Sequence, residues 1–176
     1  MEAKYFPIQI EEKWSKVWAD RELTKPESEN FFSQIIPPPN VTGTLHMGHS
    51  FQYAIMDFYT RYHHMNGTDA YWQVGTDHAG IATQMVVENN LRNEGKTKVD
   101  LGREPFVEEV WKWKDYSEGK ITSQMKRLGI TVEWDKYRFT LDDDYYQGVI
   151  QAFVELYRKD KIYRCLLYTS DAADDL

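Results

Sequence analysis

One cysteine, Cys165, stands in a chain of 176 residues, which excludes an internal disulfide framework and any multi-cysteine zinc site and fits a reducing compartment. Long hydrophobic runs are missing too. Apolar stretches of a few residues cannot span a bilayer, so a soluble protein without a membrane partner is expected. The opening MEAKYFPIQIEEKW has neither a basic segment followed by an apolar core nor an Arg-rich amphipathic leader, and the expected location is the cytoplasm. Positive charge is short: 21 Lys and Arg against 28 Asp and Glu leave −7, which argues against a broad basic face for gripping nucleic acid. Three of those negative charges lie within residues 165–176, which carry no cation. What is present in quantity is core material. Residues 41% apolar and 15% aromatic, with six tryptophans and twelve tyrosines, suffice for one sizeable core and are too many for a disordered chain.

Along the chain, Ile10, Trp14, Val17, Trp18 and Arg21 fall at helical spacing within residues 8–22, so residues 1–30 are expected to carry a short helix that docks its tryptophans on the body. Residues 31–36, FFSQII, read as a buried strand that stops at Pro37, Pro38 and Pro39, which cannot continue a ladder. After the loop PPPNVTG, apolar Phe51, Ile55, Phe58, Tyr59, Tyr62 and Met65 predict a helix over 45–65 closed by Gly67. DAYWQV at 69–74 is a second strand. Strand, helix and strand over about forty residues form a βαβ unit with a parallel sheet. In such sheets ligands bind beyond the carboxyl ends of the strands, where PPPNVTG and GTDHAG both fall, so the two loops are expected to face one crevice. Further helices are expected over 81–94 and 104–128, the second ending at Gly129. Thr140 with Asp143 reads as a capping box for a helix that ends near Lys161 and turns Val149, Ile150, Phe153, Leu156 and Tyr157 inward.

His46, Met47, Gly48 and His49 make an HxGH tetrad where that first long helix begins. Two imidazoles three residues apart share a helix face, and a helix N-terminus with its free N–H groups favours an anion. A polyphosphate is the natural ligand and nucleotidyl transfer the implied chemistry. Gly48, lacking a Cβ, leaves room for a base or ribose against the backbone. The bland readings are surface or half-buried histidines, and a zinc site drawn from His46, His49, His63, His64 and His78. The latter lacks a cysteine nearby and needs residues several helical turns apart.

PPPNVTGTLHMGH followed by YWQVGTDHAGIATQ resembles the class I aminoacyl-tRNA synthetases, and within them the valyl-tRNA synthetase family, from about Tyr5 to Arg164. Isoleucyl and leucyl enzymes usually show Gly-Trp-Asp where this chain has Gly75, Thr76 and Asp77. The resemblance implies an α/β fold: the first half of a Rossmann-type class I synthetase catalytic domain over 31–164, with a parallel sheet and flanking helices. It implies ATP and Mg²⁺ as cofactors, valine and tRNA(Val) as partners, and a monomeric parent enzyme. His46 and His49 then hold the triphosphate, with Gly48 completing the nucleotide-binding tetrad. Asp77 pairs with the α-ammonium of the amino acid, and Pro38, Pro39 and Asn40 line its side-chain pocket. The valyl enzyme is itself the standard example of a hydrophobic pocket that rejects threonine by only about a hundredfold and therefore needs editing.

Editing domain, KMSKS-type loop and anticodon-binding helices lie beyond the residue matching Arg164 in that family. The chain alone is therefore expected to be inactive, with a sheet face and edge left uncovered. Residues 165–176, CLLYTSDAADDL, lack apolar periodicity, resemble the translation of a sequencing adapter, and are expected to be a non-native tail. Two other classes fit less of the sequence: a stand-alone HxGH nucleotidyltransferase, and a non-catalytic synthetase-like binding module.

Overall fold

The computed structural model describes residues 4, 6–19 and 31–164. Arg21 and the 165–176 tail, both singled out above, lie outside them. The elements run α1 (Pro7–Ala19), β1 (Phe31–Ile35), α2 (Met47–Met65), β2 (Asp69–Gln73), β3 (Gly75–Thr76), α3 (Gly80–Asn93), α4 (Lys98–Leu101), α5 (Arg103–Leu128), β4 (Arg138–Phe139) and α6 (Asp143–Arg158), with a 3₁₀ turn at Trp134–Lys136. Two compact units divide after Thr140.

The βαβ unit is present. β1 and β2 pair in parallel from Phe31 opposite Asp69 to Ile35 opposite Gln73. Val74 then carries the chain from one ladder to the next: β3 pairs in parallel with β4, Thr76 opposite Phe139, and the Arg138 N–H donates to the Val74 carbonyl at 3.2 Å. Gly75 is required there, because a Cβ would collide with the Arg138 carbonyl oxygen. Trp72, Val74 and Ile36 from the strands meet Tyr53 of α2 and Ile121 and Met125 of α5, and this cluster is the main core. A second cluster joins Val87 and Leu91 of α3 to Phe106 of α5.

Polar ties fix α2 on this core. Gln34 Nε2 donates to the Met56 carbonyl and to Thr60 Oγ1, both at 2.6 Å. Asp57, nearly buried, accepts the Thr131 N–H at 2.6 Å on one oxygen and Arg61 Nε at 2.6 Å on the other. Arg61 also donates to the Gly129 carbonyl and lies under the Trp18 ring, so α1 docks through Trp18. Gly129 ends α5 at φ +71°, with Trp18 packed where a Cβ would sit. Trp14 stays exposed beside it.

Expectations for β1 and α6 need correction, and α2 is covered on a face that its apolar spacing does not mark. β1 is not buried: α2 packs on the face that carries Phe32 and Gln34, and the opposite face is exposed, Ile35 to 76%. The α2 face that packs inward is Tyr53, Asp57 and Thr60, while the apolar series Phe51, Phe58, Tyr62 and Met65 points out. Helical periodicity marks a face, and only the surroundings decide whether it is covered. In α6, likewise, Val149, Ile150, Phe153, Leu156 and Tyr157 are exposed rather than inward, and the helix ends at Arg158. Its N-cap is Asp142, without a side-chain cap, and not Thr140. The Thr140 hydroxyl bonds instead to Asp77 and His78.

Candidate active site

The two loops expected to share a crevice are joined directly. Asn40 and Asp77 form a parallel bridge: the Val41 N–H donates to the Asp77 carbonyl at 3.0 Å, and the Asp77 N–H to the Pro39 carbonyl at 2.9 Å. Pro39 is buried, while Pro38 and Asn40 are exposed. The three prolines fix φ just before this bridge, so the wall they form is stiff.

α2 begins at His46, an N-cap in extended conformation. Its Nδ1 accepts the Gly48 N–H at 3.1 Å, and His49 Nδ1 accepts the His46 N–H at 3.3 Å, so the two imidazoles build a capping box. A nitrogen that accepts carries no proton, and a neutral imidazole then bears it on Nε2. Both rings therefore present an N–H away from the helix, and they stack with centroids 3.9 Å apart. Burial first, and then the proximity of the His46 imidazole, hold His49 below the ordinary histidine pKa, which favours the neutral ring that the cap uses. Gly48 turns out to make room for the His46 ring: a Cβ would fall 2.9 Å from its Cε1.

Asp77 directs one carboxylate oxygen at the protein. Oδ1 accepts the Ala79 N–H at 3.2 Å and the Thr140 hydroxyl at 3.1 Å and lies 3.2 Å from His78 Nδ1. Ala79 itself takes a left-handed φ of 43° to turn the chain into α3. Beneath this loop Thr76 is fully buried, its hydroxyl 2.6 Å from the Tyr137 hydroxyl and 3.3 Å from Glu118 Oε1. Glu118 in turn accepts Lys114 Nζ at 2.7 Å. Burial of that ammonium works to lower its pKa, but Glu118 and Asp115 together outweigh it and the net shift is upward.

Sequence reasoning missed the face of α5 that holds the PPPNVTG loop. Trp113 Nε1 donates to the Val41 carbonyl at 2.9 Å, Ser117 Oγ to the Gly43 carbonyl at 2.8 Å, and Gln124 Oε1 accepts the Leu45 N–H at 2.9 Å. The signal was there: positions 113, 117 and 124 share a helix face with Ile121, and polar residues on a buried face imply partners. The histidines do not gather into a metal centre. His63 stacks on Phe32 at 4.0 Å, and among the described residues no three His, Cys, Asp or Glu groups could hold an ion.

Parallel strands whose following loops are bridged to one another, the first loop leading into a helix N-terminus that carries two stacked imidazoles, define an α/β fold with an end suited to an anion. Residues 9–169 match the family of class I tRNA synthetases for I, L, M and V, and the chain belongs to it. Among solved structures it is similar to the ternary complex of Agrobacterium radiobacter agnB2 LeuRS, tRNA and LeuAMS, with TM-score 0.69 and 23% identity over 92% of this chain. The chain spans 19% of that LeuRS chain.

Proposed function

We propose that this chain forms the first half of the catalytic domain of a valine–tRNA ligase, with ATP, valine and tRNA(Val) as substrates of the whole enzyme. The Asn40–Asp77 bridge carries the reading, because it joins the PPPNVTG loop, which leads into α2, directly to the aspartate assigned to the valine ammonium. Thr76 supports valine over leucine or isoleucine, whose enzymes usually place tryptophan there. Fully buried and bonded to Tyr137, Thr76 occupies a site with no room for an indole.

In this mechanism a valine carboxylate oxygen attacks the α-phosphorus of ATP and pyrophosphate leaves. The Nε2–H groups of His46 and His49, with the α2 N-terminus, stabilise negative charge on the phosphate oxygens. Asp77 holds the valine ammonium, fixing attacker and leaving group in line. Mg²⁺ would enter with the ATP phosphates and neutralise their charge.

A chimera tests the assignment. Residues 5–164 replace the matching segment of a valyl-tRNA synthetase, and ATP–pyrophosphate exchange is measured with valine, isoleucine and leucine. Valine-dependent exchange is expected, and exchange driven by leucine or isoleucine instead would sink the valine reading. The 176-residue chain alone contains no KMSKS-type sequence and should show little or no exchange.

A further inference from the structure

We propose that Thr140 is a positioning residue of the amino-acid subsite: its hydroxyl orients the Asp77 carboxylate and fixes His78 with its proton on Nδ1, leaving Nε2 as a hydrogen-bond acceptor. The ligand's identity rests on the valine reading above; the proton assignment does not.

One hydroxyl meets three polar groups. Thr140 Oγ1 lies 3.1 Å from Asp77 Oδ1, 2.9 Å from the His78 backbone nitrogen and 2.6 Å from His78 Nδ1. A threonine hydroxyl has one proton to give and two lone pairs. An ionised carboxylate only accepts, so the proton goes to Asp77 Oδ1. The peptide N–H only donates, and it takes one lone pair. The lone pair that remains needs a donor, so His78 Nδ1 must carry hydrogen. A second contact agrees: Nδ1 is also 3.2 Å from Asp77 Oδ1, an approach that an N–H stabilises and a bare nitrogen opposes. Topology explains why Thr140 can do this. It follows β4 directly, and its N–H donates to the Thr76 carbonyl at 3.2 Å, which sets it beside Asp77 across the parallel ladder.

The crevice loops then differ in polarity. On the loop entering α2, both imidazoles accept backbone N–H groups through Nδ1 and offer Nε2–H donors, as a phosphate requires. On the loop after β3, His78 has the opposite tautomer, and its Nε2 joins Asp77 Oδ2 as an acceptor, as an ammonium requires. His78 is 42% exposed at its side chain, so a ligand can reach it. On this account Thr140 acts only through Asp77 and His78, and His78 is a ligand-binding residue.

Two measurements test it. The chain, ¹⁵N-labelled at its histidines, is sedimented and read by magic-angle-spinning ¹⁵N spectroscopy at a pH where imidazole is neutral, a method indifferent to self-association. His78→Gln identifies the signal. A protonated Nδ1 with a bare Nε2 is expected, and a bare Nδ1 overturns the proposal. In parallel, saturation transfer from the chain to the methyl groups of free valine compares Thr140→Val with Thr140→Ser. Thr140→Val should weaken valine binding about tenfold, the loss of one hydrogen bond to a charged group, whereas Thr140→Ser keeps the hydroxyl and should stay within about twofold. Unchanged binding in Thr140→Val, or equal weakening in both variants, overturns the positioning role. If the unaltered chain binds no valine, the substrate reading fails for this chain, and the tautomer alone decides on Thr140.

Discussion

In Gly48→Ala the new Cβ falls 2.9 Å from His46 Cε1 and 3.0 Å from its Nδ1, so the imidazole must leave its place over the first turn of α2. Two effects on stability oppose each other. Alanine is favoured over glycine in a helix by at most about 1 kcal/mol. Losing the N-cap bond to the Gly48 N–H costs about 1 kcal/mol. The net change in folding stability should therefore lie within about 1 kcal/mol of zero. Binding has no such compensation. The displaced ring loses its stack on His49 and its Nε2–H is no longer aimed with its neighbour's, forfeiting a hydrogen bond to a charged phosphate worth about 1.5–3 kcal/mol. That corresponds to at least about a tenfold rise in KM for ATP in the exchange assay of the chimera. Thermal melting by circular dichroism supplies the stability arm. A variant with KM and kcat both unchanged would refute the claim that the His46 ring position serves the nucleotide. One that fails to melt cooperatively would refute the claim that the stability terms cancel.

Two further outcomes follow from the core beneath the site. The Tyr53 hydroxyl is buried without a partner among the described residues, and burial pushes its pKa from 10.0 up to about 12. The folded state keeps a proton that the unfolded chain releases, so stability should fall as pH rises from 10.0 towards about 12. Tyr53→Phe should flatten that alkaline limb and raise neutral stability by about 1 kcal/mol, because an unsatisfied hydroxyl is removed; an unchanged limb in urea unfolding series refutes it. Thr76→Trp should lose at least about 3 kcal/mol or fail to fold, since the indole has no space and the Tyr137 and Glu118 bonds go; a melting temperature within about 2 °C of the parent overturns the argument for steric exclusion.

How much of this was legible beforehand depends on the kind of information. The strand, helix, strand order and the ends at the three prolines and Gly129 follow from local rules: proline cannot continue a ladder, and only glycine readily takes φ +71°. The tetrad at the start of α2 is local in the same way, because a cap needs only residues three apart. Exposure was not legible. The apolar series on α2 and α6 predicts helices correctly yet faces outward, since periodicity says which residues share a face and nothing about what lies opposite.

By itself, then, the sequence determined β1, α2, β2, the longer helices and the tetrad at a helix start, all set by residues near in the chain, but not the short β3–β4 pair that takes Gly75 and Thr76 out of the second loop. Tertiary structure alone decided how those loops are held. The clamps of Trp113, Ser117 and Gln124 on the first loop, and of Thr140 on Asp77 and His78, join residues more than sixty positions apart. A hydroxyl that looks like a helix cap in sequence bonds instead to whichever donor and acceptor the fold brings within about 3 Å, and that choice is made by the register of the β3–β4 pair.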